Sequence, residues 1–445
     1  MLRERGLIFY KIFSLTPHSG IMEENMKVNV NPAKGMRDFL PLEKEIRDYV
    51  ESSIISTYRQ TGFELIETPV IENIENLIGS EGGENLKLIF KILKRGEKLD
   101  DFSRINITEK DLSDLGLRYD LTVPLSRFYC NNRAKLPSVF KSLQVGNVFR
   151  AERAQKGRYR SFKQCDIDII GEKSSVAEIE LITTTSKALS ALNMDNFSIR
   201  INDRRILKDV ILSCGFSESE FDNVCIILDK LDKIGMTGIE QELNAKEYDS
   251  DSIKNLINAL SKINENGTKS LNEYGVEGET IENIDYIINS VSELSEGKYK
   301  IKFDFTLVRG MGYYTGPIFE IEYEGLGYSI GGGGRYDKMI GKFIGEDIPA
   351  VGFSIGFERL VNQLIEENFK VPDLQKIVLL YESENKYVDV LKTANELRDK
   401  GYSVSVYEKA KKLGKQLSQF ESFGYTGYAL YSCEGTQIKE FEGIK

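Results

Sequence analysis

The sequence predicts an α+β fold: an antiparallel sheet split by a block of helices and followed by a smaller α/β unit. Three observations carry this. Strand-like segments stand on both sides of a polar, helix-patterned stretch that runs from about residue 203 to 296. A strand–helix–strand–helix–strand pattern takes over after Pro372. At 445 residues, the chain also exceeds one ordinary domain.

The first folded stretch opens near Asn31. Apolar Ile46, Val50, Ile54 and Ile55 recur at helical spacing between about residues 42 and 60, and Gly62 ends that helix. The stretch from 63 to 71 reads as a strand broken by Pro69, which points to an edge, a bulge or an interface because proline cannot donate to a ladder. FKQCDIDIIG alternates strictly, with Cys165, Ile167 and Ile169 on one face and Gln164, Asp166 and Asp168 on the other. By itself the polar face suits solvent, the commoner outcome, or the wall of a pocket. VCIILDKLDKIGM and DSIKNLINALSKI then read as helices. KYKIKFDFTLVRG, GPIFEIEYEG and GYSIGGGGRYD read as strands, the last two joined by an EGLG hairpin turn. The glycine run at 331–334 permits close backbone approach, for sheet packing or for a ligand.

Beyond Pro372, KIVLLY, YSVSVY and TGYALYS are strands. One helix between them carries Tyr387, Val390, Leu391, Ala394 and Leu397 and stops at Gly401; the other carries Leu413, Leu417 and Phe420 before Gly424. Helical crossovers make such strands parallel. The expected divisions are an extension over 1–26, a first core part over 27–202, a helical insertion over 203–297, a second core part over 298–370 and a C-terminal unit over 374–445. The extension lacks the clean apolar stretch and small-residue cleavage site of a signal peptide. It reads as loose chain, or as a start assigned ahead of Met22 or Met26.

Composition excludes several chemistries. The one histidine, His18, lies in the extension, so the body holds no Ser-His-Asp triad, histidine metal site or histidine base. The five cysteines form no CxxC pair, which excludes a zinc site of the usual spacing and fits a reducing cytoplasm. No apolar run of about 18 residues marks a membrane span. A net charge of -10 argues against coating nucleic acid non-specifically. It leaves room for local basic patches, because screening acts over about 8 Å. No GxxxxGK[ST] loop is present for ATP.

Arginine carries the strongest local signal. VFRAERAQKGRYRSF places Arg150, Arg153, Arg158 and Arg160 about a turn, LVRGMGYYTG ends a strand on Arg309, and AVGFSIGFERL reaches Arg359. Guanidinium groups clamp phosphates in a two-pronged way and stay charged at any accessible pH. Singly, each is more often a surface residue; together the clusters look like a phosphate site assembled from distant segments.

PAKGMRDFLP, GLRYDLTVPLSRF, VFRAERAQKGRYRSFKQCDIDIIG, LVRGMGYYTGPIFE, GGGGRYD and AVGFSIGFERL, in that order, resemble the histidyl-tRNA synthetase family. The arginine-rich segment resembles motif 2 and AVGFSIGFERL motif 3 of class II synthetases, while RGxxYYTG and GGGGRYD are the histidine-type signatures. The resemblance covers roughly Lys34 onward and is weakest across the helical insertion. It implies a six-stranded antiparallel core flanked by helices, a C-terminal anticodon-binding domain, and a homodimer formed through the Pro69 segment, which resembles motif 1. It also implies ATP with Mg2+ held mainly by the phosphates, and L-histidine and tRNA(His) as the other substrates.

By the same resemblance, Arg150 holds the substrate carboxylate and the α-phosphate, and Arg309 reaches the α-phosphate; these two are the catalytic candidates. Glu152 contacts the adenine side of ATP, and Arg158 and Arg359 hold the outer phosphates. Asp120 and Thr122 receive the α-ammonium, while Gln164, Asp168, Tyr313 and Tyr314 read the imidazole, which turns the polar face of FKQCDIDIIG into a pocket wall. Carboxylate attack on the α-phosphate needs fixed positive charge and positioning but no general base, because the nucleophile is already ionised. One position departs from the family: Gly312 stands where aspartate usually precedes the tyrosine pair. The alternative reading is a non-catalytic histidine-binding paralogue, the regulatory subunit of ATP phosphoribosyltransferase, which lacks the C-terminal unit. Within that unit Lys409, Lys411, Lys412 and Lys415, with Tyr407 and Phe423 nearby, suit either a solvated face or RNA contact.

Overall fold

The computed structural model describes residues 29–79, 87–94, 109–153, 159–308, 313–372, 375–433 and 435–441; the extension over 1–26 lies outside them. Helix α1 (Pro41–Gln60) opens on a proline, whose missing N–H costs nothing in a first turn. Its Ile46, Val50 and Ile54 are buried and Ile55 half-buried. Between 63 and 71, where one broken strand was expected, the chain forms β1 (Glu64–Leu65) and the start of β2 (Ile71–Asn73). Pro69 sits in the irregular stretch between them, where no ladder donor is required. β2 joins β3 (Lys91–Leu93) and β4 (Ser113–Leu117) in a small antiparallel sheet of order β2-β4-β3, which hydropathy alone does not announce.

Helix α2 (Thr122–Asn132) leads into the long pair β5 (Phe140–Phe149) and β6 (Ser161–Ile170). Then come α3 (Val176–Ser190) and β7 (Phe197–Asp203). The helices α4 (Arg204–Ser213), α5 (Phe221–Leu228), α6 (Leu231–Ala245), α7 (Ser250–Asn266) and α8 (Gly278–Leu294) follow before the chain returns in β8 (Lys300–Phe303). β9 (Pro317–Tyr323) and β10 (Ser329–Arg335) form the expected hairpin, with Gly325 and Gly327 at φ 82° and 61°, a region glycine enters freely. Helix α9 (Asp337–Ile344), β11 (Ala350–Gly356) and α10 (Phe357–Glu366) complete this part.

One eight-stranded sheet results, of order β1-β5-β6-β11-β10-β9-β7-β8. Its six inner strands pair antiparallel throughout, and the short β1 and β8 extend the edges in parallel. The antiparallel six match the expected core, and the sheet is wider than expected by those two edges. β8 can run parallel to β7 because the helical block supplies the long crossover that parallel neighbours need. Helices α1 and α3 pack with Cys165, Ile167 and Ile169 in one large apolar cluster, which leaves the opposite face of β6 for polar side chains.

The C-terminal sheet contains β12 (Lys376–Tyr381), β13 (Ser403–Glu408) and β14 (Gly427–Leu430), parallel to one another and connected by α11 (Tyr387–Asp399) and α12 (Leu413–Ser422). β15 (Ile438–Glu440) adds antiparallel to β14. Lys376 Nζ lies 2.6 Å from Glu45 Oε1 of α1 and so ties the C-terminal sheet to that helix. Among the described residues, no helix is long and apolar enough to cross a membrane.

Candidate active site

β6 lays out the site by its register. Asp168 stands between Ser142 of β5 and Gly352 of β11, Asp166 between Gln144 and Ser354, and Gln164 between Gly146 and Gly356. Glycine at 352 leaves room for the Asp168 carboxylate as it stands, since a Cβ there would lie 2.0 Å from Asp168 Oδ1. A Cβ on Gly333 of β10 would lie 1.9 Å from the Gly352 carbonyl oxygen. The backbone of Gly331 to Gly334 lines a cavity of about 400 Å³, a volume suited to a small ligand.

The described members of the sequence-derived site all line this one cavity. Asp120 and Thr122 enter at the start of α2, Arg150 and Glu152 just beyond β5, Gln164 and Asp168 from β6, Tyr313 and Tyr314 ahead of β9, and Arg359 from α10. Arg158, Arg309 and Gly312 lie outside the described residues.

The lining is graded along β6. At the Gln164 end, Arg150 Nε donates to the Tyr119 carbonyl at 2.9 Å, and its guanidinium lies 5.0 Å from the Phe162 ring. Arg359 donates to the Ser329 carbonyl and lies 4.9 Å from the Tyr328 ring. A guanidinium held by both a carbonyl and a ring keeps its orientation. Asp168 stands about 13 Å further along the strand than Gln164, at the strand's usual rise per residue.

The other end is acidic and dry. Burial pushes the Asp168 carboxyl up to about 7; the hydroxyl of Tyr336, donating at 2.7 Å, opposes this and the charge of Asp120 adds to it. Burial likewise raises Asp120 to about 6, against the pull of the Val123 N–H and of Arg150. Asp166 is driven well above the carboxylate range, first by burial and then by its neighbour Asp168. Three buried acceptor oxygens of the lining, Asp120 Oδ2 and Asp166 Oδ1 here and Gln164 Oε1 toward the arginine end, have no hydrogen-bond partner among the described residues. Buried acceptors without donors are costly, so the wall is complementary to a ligand rich in N–H groups and positive charge.

Asp166, Tyr336, Ser354, Glu320 and Asp229 also line the cavity, and the sequence reading assigned none of them a role. Two had a visible signal: Asp166 shares the alternation of Gln164 and Asp168, and Tyr336 belongs to GGGGRYD. Asp229, at the end of α5, had none, because only the packing of the helical block brings it here. Arg335 of the same motif stays out of the lining. Its Nε and Nη2 donate to Glu178 at 2.6 and 2.7 Å, which ties β10 to α3 and sets the backbone from which Tyr336 reaches Asp168.

Residues 35–360 match the family model described as histidyl-tRNA synthetase. A histidine–tRNA ligase of Leifsonia xyli subsp. xyli is 42% identical, across 91% of this chain and 96% of its own. One of Christiangramia forsetii is 34% identical, across 92% and 93%. The crystal structure of histidyl-tRNA synthetase from Nostoc sp. PCC 7120 aligns with a TM-score of 0.73 at 27% identity, covering 93% of this chain and 95% of that one. A Bacillus halodurans structure described as an ATP phosphoribosyltransferase regulatory subunit/histidyl-tRNA synthetase reaches 0.71 at 20% identity, covering 91% and 99%, a likeness of fold alone. With a family match across most of its length and relatives of this identity along nearly all of theirs, the chain belongs to the histidyl-tRNA synthetase family of class II aminoacyl-tRNA synthetases.

Proposed function

We propose that the chain ligates L-histidine to tRNA(His) with ATP, through a histidyl-adenylate formed in the cavity above β6. The observation that carries the reading is a wall of buried acceptors without a partner among the described residues, which shares one cavity with an arginine-bearing end. Histidine brings an ammonium and an imidazole to the acidic wall and leaves its carboxylate toward Arg150. Asp120 and Thr122 receive the ammonium, and Gln164, Asp168, Tyr313 and Tyr314 read the ring.

The carboxylate attacks the α-phosphorus, the bond to the bridging oxygen breaks, and diphosphate leaves. The terminal ribose hydroxyl of the RNA then attacks the acyl carbon and AMP leaves. Arg150 and Arg309 meet the charge that grows on the α-phosphate, Arg158 and Arg359 hold the outer phosphates, and Glu152 faces the adenine. Mg2+ comes with ATP and is held by the phosphates. Among the described residues, no group of three His, Cys, Asp or Glu side chains is arranged to cage a metal ion.

Exposed Leu65, Val70, Ile71 and Leu93 around the Pro69 segment support a homodimer through that face. In the C-terminal unit, Lys411, Lys412 and Lys415 are exposed, as are the rings of Tyr407 and Phe423, which supports contact with the RNA anticodon; Lys409 is engaged with Glu382. We place the enzyme in the cytoplasm. ATP–diphosphate exchange measured with each of the twenty amino acids should respond to histidine alone. Exchange with a different amino acid, or none with histidine, would overturn the reading.

A further inference from the structure

Helix α10 starts on Gly356, a cap position with no side chain to offer its first N–H groups. The first turn is held from outside instead. Glu358, 5% exposed, meets Arg47 of α1, 6% exposed, in a two-pronged pair with Nη1–Oε2 at 2.6 Å and Nη2–Oε1 at 2.7 Å. The same Oε1 accepts the backbone N–H of Lys163 at 3.2 Å, one residue before Gln164 on β6. The Arg47 guanidinium lies 3.8 Å from the Phe39 ring and 4.9 Å from the Phe357 ring.

Net stability is a poor explanation for this pair. Desolvating both ions offsets most of their attraction, and apolar replacements of such pairs are often no worse. What a guanidinium–carboxylate fork does supply is one alignment, because both groups are planar and bond in parallel. The residue after Glu358 is Arg359, turned about 100° around the helix and facing the cavity. Fixing Glu358 to α1 and to β6 therefore sets where the Arg359 guanidinium stands above the pocket strand.

We infer that Arg47, which is outside the cavity wall, is a positioning residue for Arg359. Its fork on Glu358 holds the first turn of α10 at the depth from which Arg359 meets the outer phosphates of ATP. This rests on the phosphate-holding role proposed above for Arg359.

The test is ATP–diphosphate exchange by the full chain, with KM for ATP and for histidine measured separately. Arg47→Met should raise KM for ATP about tenfold, or lower kcat comparably, while KM for histidine stays within about twofold. Arg47→Lys should recover part of the loss, since it keeps the charge without the fork. The double variant Arg47→Met/Glu358→Gln leaves no lone buried charge; it should melt cooperatively and still show the ATP defect. Equal rises for both substrates, or an unaltered KM and kcat toward ATP in the folded double variant, would overturn the inference. Arg359→Ala separates the two layers. If it leaves KM for ATP unchanged, the phosphate-holding reading itself falls; if it raises KM while the Arg47 variants do not, only the positioning role falls.

Discussion

The two ends of the cavity are prepared for their ligands in opposite ways. At the arginine end, Arg150 and Arg359 are tied to backbone carbonyls and lie against rings, so their geometry is set before anything binds. At the carboxylate end, Asp120 and Asp166 keep acceptor oxygens without donors among the described residues, and the acids are pushed toward protonation. The contrast suits the ligands proposed for each end. Charge that grows during reaction is best stabilised by fixed groups that need no reorganisation. Discrimination among amino acids gains from groups that are satisfied only when the right donors arrive.

The difference can be broken from either side. The largest effect is expected from Arg309, which follows the cavity-lining Val308 in sequence. Arg309→Ala should lose about 2.7–4 kcal/mol of transition-state stabilisation with little change in histidine binding. Single-turnover formation of the adenylate measures this, and an unaltered rate would remove Arg309 from the chemistry. At the carboxylate end, Asp168→Ala should lower kcat/KM for histidine by about 1.5–3 kcal/mol, far more than it disturbs the requirement for ATP. Matching losses for both substrates in a folded variant would make Asp168 a structural residue.

The smallest effect sharpens the comparison through pH. Protons compete with a cationic ligand for Asp168, at about 7, and Asp120, at about 6, so histidine affinity should fall as pH drops through that range. The apo protein should behave in the reverse sense. Because both folded values lie above the ordinary carboxylate value, these groups favour the fold most below about pH 4, and that contribution is lost as pH rises to about 7. Tyr336→Phe removes the hydroxyl that holds Asp168 down. It should therefore move the midpoint of histidine binding upward and weaken binding at neutral pH by about 0.5–1.5 kcal/mol. Calorimetric titrations across pH would test both statements; a midpoint that stays put in the Tyr336 variant would detach it from Asp168.

Much of this was legible in the chain. The period of two in FKQCDIDIIG gave both faces of β6 correctly, yet periodicity alone could not separate a pocket from solvent, because both are polar. The motif resemblance made that choice for Gln164 and Asp168 and passed over Asp166 between them. The small β2-β4-β3 sheet escaped notice because strands such as Lys91–Leu93 are shorter than any hydropathy period can establish. Asp229 was out of reach for a different reason. Its place in the wall depends on how α5 and α6 settle against the sheet, and no local pattern encodes that.

The glycine lining bears on how this specificity could be altered. At Gly352 a methyl group would meet the Asp168 carboxylate at 2.0 Å, so a side chain placed there displaces the residue proposed to read the ring. Redesign toward histidine analogues also has Tyr313 and Tyr314 to work with, which pack edge to face with ring centroids 5.0 Å apart. Tyr314 also packs against both of the larger apolar clusters, so a change at that ring is felt on the far side of the sheet as well as in the pocket.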